Sequence, residues 1–159
     1  MAEARLLIVC LGNICRSPMA EGLLRARIDA SPLAGRVELD SAGTGDWHVG
    51  APPDPRAVAC ARGHGVEIEH LRGRHLAPSD YHAFDWLLCA DRHNLRDVRI
   101  RAPRVARAKP ALLLDWAGVG EGMEIPDPYT GGPAHFKRVW ALLERAAEGA
   151  IARLAHELG

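Results

Sequence analysis

The feature that most constrains the fold of this chain is a regular alternation of short apolar runs with segments of helical periodicity. The first run, Arg5–Val9, is followed by Gly12 and Asn13, residues typical of a turn. A helical pattern then begins at Ser17, a predicted cap, with a proline at the first helical position. Strands that alternate with helices are joined by right-handed crossovers, so the pattern predicts a parallel sheet covered on both faces.

The rest of the chain repeats this alternation. Three further strands are predicted at Val37–Ser41, Trp86–Cys89 and Ala111–Leu114. Helices are predicted after Asp54 and from a cap at Asp91 to about Arg99. A long amphipathic helix closes the chain, with apolar residues at Phe136, Val139, Trp140, Leu143, Ala147, Ile151, Leu154 and Leu158. We therefore predict one domain over residues 1–159, a three-layer α/β/α fold with a four-stranded parallel sheet.

Composition excludes several classes of function. Twenty Lys and Arg balance twenty Asp and Glu, so the net charge is zero and a strongly basic nucleic-acid binder is excluded. The longest apolar run, Leu6–Leu11, is far shorter than the roughly 20 residues of a membrane span. Four cysteines are too few for a disulfide framework, and the eight histidines lack metal-ligand spacing. We expect a cytoplasmic protein without a membrane span, a nucleic-acid partner, a metal or another cofactor.

The segment after the first strand carries the strongest functional signal. It consists of Cys10, five residues and Arg16, followed by Ser17. Ligands of parallel sheets bind beyond the carboxyl ends of the strands, where this segment lies. Gly12 and Asn13 tolerate the left-handed backbone angles with which a loop turns its N–H groups inward. The segment therefore predicts a phosphate-binding loop at a helix N-terminus, with a substrate-binding set formed by Leu11, Gly12, Asn13, Ile14, Cys15 and Ser17.

The residue types in this loop point to attack on phosphorus. Loop amides, the helix dipole and the Arg16 cation favour the thiolate form of Cys10. The planar guanidinium can hold two phosphoryl oxygens at once, and the Ser17 hydroxyl can donate to the sulfur. A nucleotide-binding P-loop is excluded because it requires a lysine directly before the final serine or threonine.

Cleavage of a phosphate ester also requires an acid for the leaving oxygen. Asp127 is the best candidate, because two prolines stiffen the segment Ile125–Tyr129 around it after the fourth strand. Tyr129 provides an aromatic wall beside the carboxyl group, and Trp47 is expected to form the opposite wall. Two aromatic walls favour a flat aryl phosphate over a sugar phosphate.

These residues together resemble the low-molecular-weight protein-tyrosine phosphatase family. The segment from Cys10 to Pro18 and the later Asp127-Pro128-Tyr129 carry the resemblance. It extends over almost the whole chain, through Asp40–Thr44, Asp46–Gly50, Asp54–Arg56, His64–Val66 and Asn94-Leu95. The resemblance implies metal-independent hydrolysis of phosphotyrosine and small aryl phosphates through a phosphocysteine intermediate.

The family pattern also assigns roles residue by residue. Cys10 corresponds to the nucleophile, Arg16 to the phosphate clamp and Asp127 to the general acid and base. A loop-bracing hydrogen-bond network is implied for the four positions Asn13, Ser17, Ser41 and His70. The implied substrate is a tyrosine-phosphorylated protein, for which bacterial relatives suggest a tyrosine autokinase, and inorganic phosphate is the product.

Two positions at the mouth of the site depart from the family pattern. Thr130 follows Tyr129 where many relatives have a second aromatic residue, and His48 stands where several have asparagine. Both departures bear on substrate preference and leave the chemistry unchanged.

Two other functions remain open at this level. An arsenate reductase would share the loop and the fold, but it would need further cysteines, and Cys89 has no closely spaced partner. A phosphotyrosine-binding module would retain the anion without turnover.

The other cysteines have different predicted roles. Cys15 is either a contributor of backbone N–H groups or the partner of Cys10 in a reversible disulfide. Cys60 and Cys89 are expected to be small core residues.

Overall fold

The computed structural model describes residues 2–159 and contains one four-stranded sheet. All strand pairings are parallel, and the order across the sheet is β2-β1-β3-β4. The strands are β1 (Ala4–Cys10), β2 (Val37–Gly43), β3 (Trp86–Cys89) and β4 (Lys109–Leu112). The predicted four-stranded parallel sheet is confirmed.

Four longer helices and two single-turn helices connect and cover these strands. They are α1 (Arg16–Asp29), α2 (Pro55–Gly63), α3 (Asp80–Ala83), α4 (Arg92–Arg101), α5 (Leu113–Trp116) and α6 (Pro133–Leu158). The side chain of Asp91 caps α4 by accepting a bond from the backbone N–H of Asn94, as the sequence predicts. No helix among residues 2–159 is long and apolar enough to cross a membrane.

The two faces of the sheet belong to separate apolar clusters. Leu6 and Ile8 of β1 face the larger cluster, which includes residues of α1, α2 and α6. Leu7 and Val9 face the smaller cluster, where Tyr81 and other residues near α3 and α4 pack. Alternate side chains of a strand point to opposite faces, so a fully apolar β1 fills both layers. The predicted three-layer arrangement is confirmed.

The strand order places the end of β1 at a crevice. β1 lies between β2 and β3, and the connections from its two neighbours leave on opposite faces of the sheet. Such a switch point is where ligands of open α/β sheets bind, beyond the carboxyl ends of the strands. The loop from Cys10 to Ser17, called the anion loop below, occupies that position.

Three local predictions differ from the structure. β2 continues to Gly43, two residues beyond its predicted end at Ser41. The fourth strand ends at Leu112, two residues before the predicted end, and Leu113 and Leu114 form the first turn of α5. Both leucines are fully buried, so the apolar run reflects burial rather than strand structure. Ser17 does not cap α1, because the helix already begins at Arg16 and the N-cap is Cys15 without a side-chain bond. The Ser17 hydroxyl contacts the Cys10 sulfur instead.

Candidate active site

The anion loop is held in a concave shape by bonds to its carbonyl oxygens from outside. Thr44 N donates to the Cys10 carbonyl at 2.9 Å, and Gly45 N donates to Leu11 O at 2.9 Å. Asp54 N donates to Ile14 O at 2.8 Å on the other side of the loop. In a trans peptide the N–H points away from the preceding carbonyl, so outward carbonyls turn the following amides inward. The predicted nest of backbone N–H groups follows from these bonds.

Two backbone positions permit this shape. Asn13 has a φ of 57°, and among the described residues it is the one non-glycine residue with positive φ. Asparagine tolerates this left-handed region better than most residues. Gly43, at the end of β2, lies so close that an added Cβ would stand 2.8 Å from Leu11 O. The close approach of β2 to the anion loop therefore requires glycine at position 43.

The Cys10 sulfur lies at the bottom of the nest and is hydrogen-bonded there. It is buried, with the backbone N of Asn13 at 3.3 Å and Ser17 Oγ at 3.0 Å. Both groups can donate to a sulfur anion. The predicted position of Cys10 at the strand end, beside Ser17, is where the structure places it.

A chain of buried hydrogen bonds leads from Glu21 through Ser41 and Asn13 to Ser17. Ser41 Oγ donates to Glu21 Oε1 at 2.6 Å, and its oxygen accepts from Asn13 Nδ2 at 3.0 Å. The same Asn13 amide donates to Ser17 Oγ at 2.7 Å. Ser17 only accepts in this chain, so its hydroxyl proton remains available for donation to a Cys10 thiolate. The Glu21 carboxylate is in turn paired with Arg25 at 2.8 Å.

The predicted role of His70 in this network is wrong. His70 is exposed, and none of the bonds that brace the loop involves it. Arg74 N donates to Asn13 Oδ1 at 3.0 Å, and Glu21 closes the far end of the network. The segment after residue 66 is an irregular loop, so the side that each residue presents could not be read from periodicity. The other three predicted members, Asn13, Ser17 and Ser41, do meet.

Arg16 is buried beside the nest and held from behind. Its Nη1 donates to Asp91 Oδ2 at 2.6 Å and to Ile125 O at 3.0 Å. Burial alone lowers the pKa of Arg16, but Cys10, Asp91 and Asp127 outweigh it and leave the pKa above its ordinary value. The guanidinium is therefore a permanent cation fixed in place at the floor of the cleft.

Asp127 reaches the cleft from the segment between α5 and α6, called the aspartate loop below (residues 125–132). Its Oδ2 lies 3.7 Å from Arg16 Nη2, and its Oδ1 accepts from Tyr129 N at 3.1 Å. The side chain is 44% exposed, so it is open to solvent and to substrate. The carboxyl group thus lines the same cleft as Cys10, next to the Arg16 cation.

These groups surround a cleft of about 200 Å³. The cleft is lined by Cys10, Leu11, Gly12, Ile14, Cys15, Arg16, Trp47, His48, Asp127 and Tyr129. Trp47 and Tyr129 are more than half exposed, as expected of two walls at a mouth. The predicted binding residues Asn13 and Ser17 are buried behind the nest, where their side chains brace it. Neither residue is among those that line the cleft.

Two side chains of the site make contacts that the local sequence pattern does not predict. Asp91 is predicted only as a helix cap, yet its second carboxylate oxygen holds Arg16. Glu21 lies in the second turn of α1, where an acidic residue is ordinarily solvated, yet it is buried and completes the bracing network. A carboxylate on the apolar face of a helix is the one signal that could have marked Glu21, since buried charges require partners.

The remaining cysteines differ in their burial. Cys89 is completely buried in β3, and Cys60 is half-buried with its thiol 3.6 Å from Phe136 O. Burial, followed by the nearby Asp91 charge, raises the pKa of Cys89 well above its ordinary value. A thiol buried this deeply is shielded from partners in solution, as expected of a small core residue.

The fold and the site together define a class of protein. A loop at the switch point of an α/β sheet encloses a cysteine. A buried arginine and an exposed aspartate line the same cleft. This is an arrangement for binding a tetrahedral oxyanion against a thiol.

Comparison with known proteins identifies the family. The family model for low molecular weight phosphotyrosine protein phosphatase matches residues 5–158, and the chain belongs to this family. The low molecular weight phosphotyrosine protein phosphatase of Schizosaccharomyces pombe is 42% identical over 83% of this chain and 85% of its own length. A putative low molecular weight protein-tyrosine-phosphatase of Synechocystis is 39% identical over 97% of this chain and 98% of its own.

Solved structures agree. The crystal structure of a protein tyrosine phosphatase from Entamoeba histolytica, with Hepes in the active site, has a TM-score of 0.90 at 34% identity. The match covers 99% of this chain and 100% of that chain. The protein is therefore a hydrolase that acts on phosphotyrosine in proteins.

Proposed function

We propose that this phosphatase works through a phosphocysteine formed on Cys10. The thiolate attacks phosphorus in line, and an S–P bond forms as the ester P–O bond breaks. Arg16 and the inward amides take up charge on the equatorial oxygens. Protonated Asp127 gives its proton to the departing phenolate oxygen. The single observation that supports this best is the Cys10 sulfur between two hydrogen-bond donors, with Asp127 3.7 Å from the Arg16 cation above it.

The second step returns the enzyme to its starting state. Asp127, now a carboxylate, accepts a proton from water while the water oxygen attacks phosphorus. The S–P bond breaks, inorganic phosphate leaves, and Ser17 stabilises the departing thiolate by donating to it. The need for one thiolate and one protonated carboxyl group gives an acid-shifted, bell-shaped pH profile.

The shape of the cleft favours aryl esters. Trp47 and Tyr129 both line the cleft that contains Arg16, and a phenyl ring packed against them would bring its phosphate to the guanidinium. A bound Hepes molecule in the Entamoeba phosphatase carries a sulfonate, an anion of similar tetrahedral geometry. Within the proposed substrate class, a tyrosine autokinase is one phosphoprotein of the expected kind.

Replacement of Cys10 by serine tests the mechanism directly. We expect Cys10→Ser to lose turnover of p-nitrophenyl phosphate and phosphotyrosine peptide while retaining binding of phosphate or vanadate. A rapid acid quench of wild-type protein with ³²P-labelled substrate should trap one phosphoryl group per chain, on the peptide that contains Cys10. Turnover that persists in Cys10→Ser would overturn the assignment of the nucleophile.

We also propose that Cys15 protects Cys10 from over-oxidation. Both residues belong to the anion loop and line the same cleft. Peroxide would oxidise the Cys10 thiolate to a sulfenic acid, and the Cys15 thiol would condense with it to a disulfide with release of water. After peroxide treatment, peptide mapping should find this disulfide in wild-type protein and irreversible sulfinic acid in Cys15→Ser. Because the disulfide removes the nucleophile, we place the active protein in a reducing compartment such as the cytoplasm.

A further inference from the structure

Arg56, in the first turn of α2, is joined on one side to the anion loop. Its Nε and Nη2 donate to the two carboxylate oxygens of Asp54 at 3.0 and 2.8 Å. Asp54 N in turn donates to Ile14 O in the anion loop at 2.8 Å. The fork of the guanidinium is thereby fixed in relation to the nest.

The opposite edge of the same guanidinium contacts the aspartate loop. Arg56 Nη1 donates to Gly131 O at 2.9 Å. The guanidinium carbon also lies 5.5 Å from the centre of the Tyr129 ring and 4.8 Å from that of Phe136, within the range of cation–π attraction. One side chain thus links two segments of the cleft that are far apart in the sequence.

Ile125, at the start of the aspartate loop, is bonded to Ala90 and Arg16, whereas few bonds hold the Asp127 side chain itself. Its carboxylate accepts one bond from within its own loop, from Tyr129 N, and its other oxygen stands 3.7 Å from Arg16. The side chain is almost half exposed. The position of the carboxyl group above Cys10 is therefore set by the backbone of the aspartate loop.

We propose that Arg56 is a positioning residue for the general acid. It holds the aspartate loop at a fixed distance from the anion loop, so that Asp127 meets the leaving oxygen. Arg56 does not line the cleft and touches no reacting atom. The proposal rests on the proposed function, since it takes Asp127 as the proton donor.

The ion pair that anchors Arg56 persists in the acidic range. The hydrogen bonds from Arg56 outweigh burial and lower the pKa of Asp54 below its ordinary value. Asp54 therefore remains ionised at weakly acidic pH, where the proposed mechanism requires protonated Asp127. The link is intact under the conditions in which it is needed.

The dependence of kcat/KM on the leaving group shows whether Arg56 positions Asp127 or only stabilises the fold. A phenolate leaving group needs a proton, whereas 2,4-dinitrophenolate leaves without one. We expect Arg56→Met to lower kcat/KM for a phosphotyrosine peptide about tenfold, because a small displacement of a catalytic group has large effects. For 2,4-dinitrophenyl phosphate we expect a change of less than about threefold, because the acid contributes little there. Arg56→Lys keeps the charge but has no fork to hold Asp54 and Gly131 together, so the same selective loss is expected.

Arg62 provides a matched control on the same helix. It is also paired with two carboxylates, Glu67 and Glu69, but neither it nor they line the cleft. Arg62→Met should leave both substrates unaffected. If Arg56→Met slows both substrates equally, or neither, the positioning role is wrong. If the methionine variant does not fold, the lysine variant decides by the same comparison.

Asp127→Ala distinguishes failure of this proposal from failure of the mechanism. If Asp127→Ala lacks selectivity for the poor leaving group, the acid assignment itself fails. If Asp127→Ala shows that selectivity and the Arg56 variants do not, only the role of Arg56 fails. When both hold, Arg56→Met should add little further loss on the phosphotyrosine peptide in an Asp127→Ala background, because the two changes act on one function.

Discussion

Asp91 Oδ2 accepts a hydrogen bond of 2.6 Å from Arg16 Nη1, while Oδ1 of the same carboxylate caps helix α4 through Asn94 N. One carboxyl group thus joins Arg16, the proposed phosphate clamp, to the end of β3 and the start of the next helix. The guanidinium fork is oriented before any substrate arrives, which avoids the cost of ordering a long side chain upon binding.

Asp91→Asn is expected to weaken phosphate binding by the clamp. Asparagine caps helices about as well as aspartate, but it has one acceptor oxygen and no charge for Arg16. Since hydrogen bonds to charged groups contribute about 1.5–3 kcal/mol, we expect kcat/KM and vanadate affinity to fall about tenfold. Asp97→Asn, on the same helix and outside the cleft, is the control. Unchanged vanadate affinity in Asp91→Asn would contradict the bracing role.

Asp127→Ala should slow esters in proportion to the basicity of their leaving group. The variant lacks the proton donor, so we expect kcat/KM for phenyl phosphate to fall by about 10²-fold or more. Esters of acidic phenols should lose much less. A series of substituted phenyl phosphates, plotted against the pKa of the phenol, measures the effect. An equal loss across the series would refute the acid assignment.

Gly43→Ala should disturb the anion loop from the neighbouring strand. The new Cβ would meet Leu11 O at 2.8 Å, and this contact is with backbone that cannot move aside without displacing the loop. We expect a loss of about 1–3 kcal/mol in the free energy of unfolding, together with reduced activity. Gly63→Ala, where a Cβ would meet nothing within 4 Å, is the control and should be neutral or slightly stabilising. Equal denaturation midpoints for the two variants would show that the approach of β2 to the loop is not tight.

Cys15 should make the folded protein less stable in alkali. Burial, followed by the charge of Asp54, raises the pKa of Cys15 to about 12. In the unfolded chain the same thiol has its ordinary, lower pKa, so the unfolded state releases this proton first as the pH rises. The contribution of Cys15 to stability is therefore complete below the unfolded pKa and declines above it. Thermal unfolding of wild-type protein and Cys15→Ala from about pH 8 to pH 11 should show a smaller decline in the variant, whereas parallel curves would contradict this.

Much of the fold could be read from local patterns. Arg5–Val9 and Trp86–Cys89 are strands because short apolar runs bounded by turn residues fit a buried parallel sheet, and Asp91 caps its helix as its position predicts. The end of β4 could not be placed, because Leu113 and Leu114 are as buried in α5 as they would be in a strand. Hydrophobicity alone does not distinguish the two conformations in a short run.

The candidate site, like the fold, has parts that the sequence predicts and parts that it does not. The spacing of Cys10 and Arg16 predicts an anion nest, because both residues lie on one short loop whose shape depends on neighbours in the chain. The family pattern implies His70 in the bracing network, but His70 lies outside it, and Glu21 and the backbone of Arg74 complete the network instead. These partners are brought together by crossovers of the chain, and no local pattern records which side chain of an irregular loop points inward.

Residue type and short-range periodicity were enough to predict an anion-binding loop and the layered α/β architecture. They were not enough to predict which distant side chains support the loop: Asp91 bonded to Arg16, Glu21 bonded to Ser41, and Arg56 between two loops. A buried or oriented charge needs a partner at hydrogen-bond distance. That partner can lie 75 residues away, as Asp91 does from Arg16, and only the packing of the sheet selects it.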